Sequence, residues 1–245
     1  MGRDDAMSCK IVCIGHRGAM GHAPENTLLS VETAIDLGAP WVEVDVHWAD
    51  GHLVVIHDDR LERTTNGTGY VSERSFAYLR SLDAGQGQQI QTLEEIFDSI
   101  VGRAGINVEL KGPGTAEPVV QLIQTRLKHG WTRERLLVSS FNHRELLRVK
   151  QLDPSIPTGA LIVGLPVDNA AFAAKLGCYS VHPSLEFIDA AFIVDAHGHG
   201  LKVFVFTVDE PEDIARMCSL GVDGMFTNYP ERVIEHIRSH NLWTS

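Results

Sequence analysis

Two histidines each close a short apolar run, His16 in Cys13-Ile-Gly-His16 and His57 in Val54-Val-Ile-His57. A lone histidine is more often structural than catalytic, but an imidazole at the end of a strand-like run is well placed for proton transfer. In Val42-Glu43-Val44-Asp45-Val46 the acids alternate with valines, so Glu43 and Asp45 share one face of a strand. Asn107-Val-Glu109-Leu-Lys111 repeats the pattern, with Glu109 and Lys111 together. Three carboxylates converging in a partly desolvated site repel one another, so one must hold a proton or a cation must lie among them. An all-oxygen donor set favours a hard divalent ion, Mg2+ or Ca2+, over zinc. Beside such an ion Arg17 would clamp a phosphate. The competing reading puts Glu43 and Asp45 on the wet face of an edge strand.

The order of elements decides between these readings. Short β-branched runs recur along the chain, each followed by a polar turn and by apolar positions at helical spacing, which argues for βα units and a parallel sheet. Strands are expected at 10–14, 41–47, 106–111, 135–140, 158–163, 178–182, 202–208 and 224–227. Helices are expected over 26–38, from the Thr92-x-x-Glu95 capping box through Ile100, around 119–127, from Asn142-x-x-Glu145 to before Pro154, and over 168–177, 188–197, from Pro211, and over 232–238. Eight such units predict a closed (β/α)8 TIM barrel, whose site lies where the strands end. An open doubly wound sheet is the runner-up, but G-x-G-x-x-G is missing after the first strand. The Gly-, Thr- and Gln-rich stretch 59–91 breaks the rhythm and reads as a small insertion over the C-terminal face of a single domain, 9–245, with a helical piece at 72–82.

His57 follows Asp45 by only 12 residues, too few for a crossover helix and a second parallel strand. A hairpin turning at Asp50-Gly51 and returning through 53–56 would bring His57 back to the same rim. Centred on Gly51, it pairs position 45 with 57.

A length of 245 residues suits one such barrel, and 44% hydrophobic with 22% charged residues is ordinary globular composition. The formal charge of -11 disfavours nucleic acid and anionic membranes as partners. An anionic substrate therefore needs a metal or a local basic patch. Cys9, Cys13, Cys178 and Cys218 form no C-x-x-C pair and read as reduced thiols. Met1–Lys10 has no apolar signal region, and no run approaches the length of a membrane span, so a soluble cytoplasmic protein without a membrane anchor is expected.

His16-Arg-Gly, Pro24-Glu-Asn-Thr27, Glu43-x-Asp45, His57-Asp58 and Glu109-x-Lys111, in this order, resemble the glycerophosphodiester phosphodiesterases, specifically the short bacterial cytosolic type. Leu61-Glu-Arg-Thr-Thr-Asn-Gly67, Leu82-Asp-Ala-Gly85, Ser139-Ser-Phe141 and Gly221-Val-Asp-Gly224 extend the likeness to about Pro230. The resemblance implies a barrel of the phosphatidylinositol phospholipase C-like type and metal-dependent hydrolysis of a small glycerophosphodiester to sn-glycerol 3-phosphate and an alcohol. It makes His16 and His57 the acid–base pair, Glu43, Asp45 and Glu109 the ligands of one divalent cation, and Arg17, Lys111 and Phe206 the substrate contacts. Three motifs depart from the family's usual pattern. Phe206-Thr-Val-Asp209 stands for Trp-Thr-Val-Asn, Thr227-Asn228 for Thr-Asp, and Gln91 for a proline. A lysophospholipase D or sphingomyelinase-D-like enzyme is the enzymatic alternative, and a non-catalytic glycerophosphodiester-binding protein the other. Headgroup, metal identity and oligomeric state stay open.

Overall fold

The computed structural model describes residues 11–242; Cys9 and Lys10, the expected starts of the domain and of the first strand, lie outside them. Nine strands follow in chain order: β1 (Val12–Gly15), β2 (Trp41–Ala49), β3 (His52–Val55), β4 (Gly105–Leu110), β5 (Leu136–Ser140), β6 (Thr158–Ile162), β7 (Ser180–Pro183), β8 (Lys202–Val205) and β9 (Gly224–Thr227). All but β3 form a closed parallel barrel, β1 pairing with β2 on one side and with β9 on the other. The helices are α1 (Leu28–Asp36), α2 (Phe76–Arg80), α3 (Leu93–Ile100), α4 (Ala116–Leu127), α5 (His143–Leu152), α6 (Ala171–Lys175), α7 (Ala190–Gly198), α8 (Pro211–Leu220) and α9 (Pro230–Ser239).

Strand alternation sorts the side chains. Val42, Val44 and Val46 point outward and join Leu93, Ile96 and Phe97 in the core shared with the helices. The alternate positions point into the barrel, where Ile14, Leu137, Phe204 and Phe226 fill its interior. The capping box of α3 forms as expected, with Thr92 and Glu95 satisfying each other's backbone N–H. Segment 56–92 packs Ile56, Leu61, Val71, Leu79, Leu82 and Ile90 with Ala49 and Val54 of the β2–β3 hairpin into a second, small apolar cluster. Among the described residues, no helix is long and apolar enough to cross a membrane.

Several expected details differ. The hairpin forms, but Val46 pairs with Val55 and Ala49 with His52, one residue out of the predicted register. The turn is a two-residue one, with Asp50 and Gly51 both at positive φ (47° and 79°), so its centre lies between them rather than on Gly51. Position 45 thus faces Ile56, whose N–H donates to the Asp45 carbonyl at 3.1 Å. Helix α1 starts at Leu28 with Thr27 as its cap, because Asn26 is diverted to the site. The helix expected at 168–177 shrinks to the five residues of α6, and the strand expected at 202–208 stops at Val205. Asn142 caps α5, but Glu145 closes no box there. Its carboxylate instead accepts N–H groups of Gly114 and Ala116 at the start of α4.

Candidate active site

The C-terminal ends of the barrel strands surround a cavity of about 210 Å3. It is lined by His16, Arg17, Glu43, His57, Glu109, Lys111, Phe141 and Phe206 among others. A larger cavity of about 420 Å3 opens among Val12, Trp41, Leu137, Tyr179 and Phe204. Its ionisable lining is Arg133, Glu134 and Tyr179, with no convergent set of acids or histidines, so the smaller cavity is the candidate active site.

The three acids come together as their spacing implied. Glu43 and Asp45 are 1% exposed and Glu109 8%. A carboxylate oxygen from each lies within 4.8 Å of the others. The backbone N–H of Arg17 donates to Glu43 Oε2 at 2.8 Å, whereas Glu43 Oε1 is buried and accepts no hydrogen bond. Burial first, then the charges of Asp45 and Glu109, push the Glu43 carboxyl well above its ordinary range. Burial and Asp45 push Glu109 up to about 7, against the opposing pull of Lys111. An orphaned buried oxygen and two carboxyls resisting ionisation describe a donor set that fits a hard divalent cation. Asn26 clamps Asp45 from both sides, donating from Nδ2 to Asp45 Oδ2 at 2.9 Å and accepting the Asp45 N–H at 3.1 Å. That clamp requires Asn26 at φ 61°, a conformation asparagine tolerates better than most residues.

The loop after β1 presents His16 and Arg17 by folding tightly. Arg17 and Gly18 both take positive φ, and a Cβ on Gly18 would lie 2.4 Å from the Ser30 backbone carbon. The Arg17 guanidinium reaches Glu25 at 2.7 Å and Asp45 at 3.3 Å. His16 is half-buried; that desolvation, with the charge of Arg17, brings its pKa down to about 4. Its Nδ1 lies 2.8 Å from Asn228 Oδ1.

His57 follows β3 back to the same rim. Its Nδ1 lies 2.6 Å from Asp58 Oδ1, and since a carboxylate only accepts, Nδ1 carries the hydrogen. Its Nε2 is then free to accept from Lys111 Nζ at 3.0 Å. Lys111 also donates to Glu109 at 2.8 Å. Burial would lower its pKa, but Glu109 and Asp45 outweigh burial and raise it. Arg63, from the insertion, binds Asp58 and forks onto Glu25. That contact, with His57 contributing, holds the Asp58 carboxyl well below its ordinary range. His47 lies within 3.1 Å of the His57 carbonyl through Nε2 and donates to it. Phe206 meets Phe141 edge-on at 5.6 Å beside the cavity.

All eight residues singled out from the sequence therefore gather at one rim. Asn26, Glu25, Asp58 and Arg63 join the site as well, each from within one of the motifs that carry the family resemblance. Residue type and spacing alone mark none of them, and membership of those motifs is the signal that could have found them.

Residues 16–232 match the glycerophosphoryl diester phosphodiesterase family, most of the chain. The chain belongs to that family. A glycerophosphodiester phosphodiesterase of Caldanaerobacter subterraneus subsp. tengcongensis is 37% identical, the alignment covering 94% of this chain and 98% of that protein. One of Bacillus subtilis is 33% identical over 91% of this chain and 85% of its own length. Among solved structures, an Oleispira antarctica phosphodiesterase in complex with the product sn-glycerol-3-phosphate superposes with a TM-score of 0.86. It is 34% identical, over 93% of this chain and 96% of that one. The family's fold and the barrel described above agree.

Proposed function

We propose that this site hydrolyses glycerophosphodiesters to sn-glycerol 3-phosphate and an alcohol, with one divalent cation, Mg2+ or Ca2+, held by Glu43, Asp45 and Glu109. The observation that carries the reading is the convergence of two histidines, three carboxylates and two cationic side chains on one cavity. The product bound by the Oleispira relative supports the substrate class.

A bound cation would neutralise charge on the phosphate and make phosphorus more electrophilic. Arg17 and Lys111 bind the remaining phosphate oxygens and share the charge that develops there. His16 is neutral at pH 7, with its lone pair on Nε2, and takes the proton of the attacking hydroxyl. Asp58 stabilises positive charge on the His57 ring. With Lys111 drawn onto the phosphate, the freed His57 Nε2 takes up a proton from solvent, and the imidazolium, held at Nδ1 by Asp58, passes that proton to the leaving alkoxide. Phe206 and Phe141 pack against the glycerol or alcohol moiety.

A lysophospholipase D would need an apolar bed for an acyl chain. Leu61, Val71 and Leu79 of the insertion are instead fully buried and offer no such bed, and the cavity of about 210 Å3 suits a small, deacylated substrate. The test is release of sn-glycerol 3-phosphate from glycerophosphocholine by chelated protein and by protein resupplied with Mg2+ or Ca2+. Turnover only after resupply is expected; full turnover in verified metal-free protein would overturn the metal-dependent reading.

A further inference from the structure

We propose that Asp209 and Asn228 are positioning residues that decide which ring nitrogen of His16 carries the proton. The inference builds on the reading of His16 as the proton acceptor.

His16 Nδ1 lies 2.8 Å from Asn228 Oδ1, and Asn228 Nδ2 lies 2.6 Å from Asp209 Oδ2. A primary amide can turn either end toward an imidazole, so Asn228 alone decides nothing. Asp209 decides. Its carboxylate offers only acceptors, and Oδ1 is already occupied by the Asn228 backbone N–H at 2.8 Å and the Thr227 hydroxyl at 3.1 Å. Asn228 must therefore give its N–H to Asp209 and turn its oxygen to the ring. His16 must then donate from Nδ1, which leaves the lone pair on Nε2. The backbone keeps the ring in place, the His16 N–H donating to the Thr227 carbonyl at 2.8 Å. Arg232 donates to the Asp209 carbonyl at 3.0 Å and so fixes the far end of the chain.

The alternation works with one amide and one carboxylate, in either order. Two amides would set N–H against N–H and release Asn228 to flip. Two carboxylates would face each other with no proton between them.

The experiment compares Asp209→Asn, Asn228→Ala and the exchange Asp209→Asn/Asn228→Asp with wild type. Two-bond 1H–15N correlation spectra of the imidazoles at pH 8 report the tautomer of His16, assigned by the signal lost in His16→Gln. Steady-state turnover of glycerophosphocholine is measured alongside. Wild type should show the Nδ1–H form. Asp209→Asn should gain the Nε2–H form and lose kcat on the order of 10²-fold, with KM changing less, as expected when a general base presents the wrong atom. Asn228→Ala, which leaves Asp209 intact, should lose the preference for Nδ1–H. The exchange should restore both the Nδ1–H form and most of kcat. An unchanged tautomer in Asp209→Asn or Asn228→Ala, or an exchange no better than Asp209→Asn alone, overturns the proposal. A switched tautomer with undiminished kcat would uphold the positioning pair and remove His16 as the base.

Discussion

Removing the cation should make the protein's stability fall as the pH rises, opposite to the usual behaviour of a paired carboxylate. Burial beside Asp45 raises the Glu109 pKa to about 7 in the fold, against 4.5 for an unperturbed glutamate. Between those values the folded state holds a proton that the unfolded chain has released, so stability declines with rising pH across this window. The difference of roughly 2.5 units, at about 1.4 kcal/mol each, corresponds to about 3 kcal/mol lost by pH 7.5. For a domain of this size that is on the order of 6–12 °C in Tm. Burial of Glu43 beside the same charges acts in the same direction. The assay is thermal unfolding of chelated protein from pH 4.5 to 8, for wild type and Glu109→Gln. Surface groups common to both cancel in the difference between them. The Tm of wild type should drop relative to that of the variant as the pH rises, and Mg2+ or Ca2+ should reverse the drop in wild type by binding only the folded state. A wild-type-to-variant difference that is flat or grows with pH would refute the electrostatic account of the acidic cluster.

Other outcomes follow from the same geometry. His16→Ala and His57→Ala should each lower kcat by about 10²–10⁴-fold with little change in Tm; near wild-type kcat in either would remove that histidine from the mechanism. Asn26→Ala should weaken cation binding by about 10–100-fold, measured by calorimetric titration, because Asp45 loses both of its clamps. Unchanged affinity would mean that Asp45 needs no such support. Gly18→Ala should destabilise the fold by about 3 kcal/mol in denaturant unfolding, since a side chain there combines positive φ with overlap on the Ser30 backbone. Glycerophosphocholine should be turned over far faster than phosphatidylcholine vesicles, and comparable rates would contradict a preference for deacylated substrates.

Local pattern alone carried much of the design. The alternation of Glu43 and Asp45 with valines, and of Glu109 with Val108 and Leu110, already put three acids on one inward face, because strand periodicity depends on nothing beyond the strand itself. Eight βα units implied a closed barrel, and the Asp50-Gly51 pair implied the hairpin that returns His57 to the rim. What stayed hidden depends on partners distant in the chain. The hairpin register is a local exception: Asp-Gly favours a two-residue turn with both φ positive, so the turn's centre falls between Asp50 and Gly51 and the pairing moves by one. Glu145 left the end of its own helix for the start of α4, a competition visible only once both helices are docked. The polarity of the His16–Asn228–Asp209 chain spans residues 16 to 228. It arises because closing the barrel lays β1 beside β9, and no pattern within either strand announces that contact. Sequence periodicity thus determined which side chains face inward, and tertiary closure decided which of them touch and which way their hydrogen bonds run.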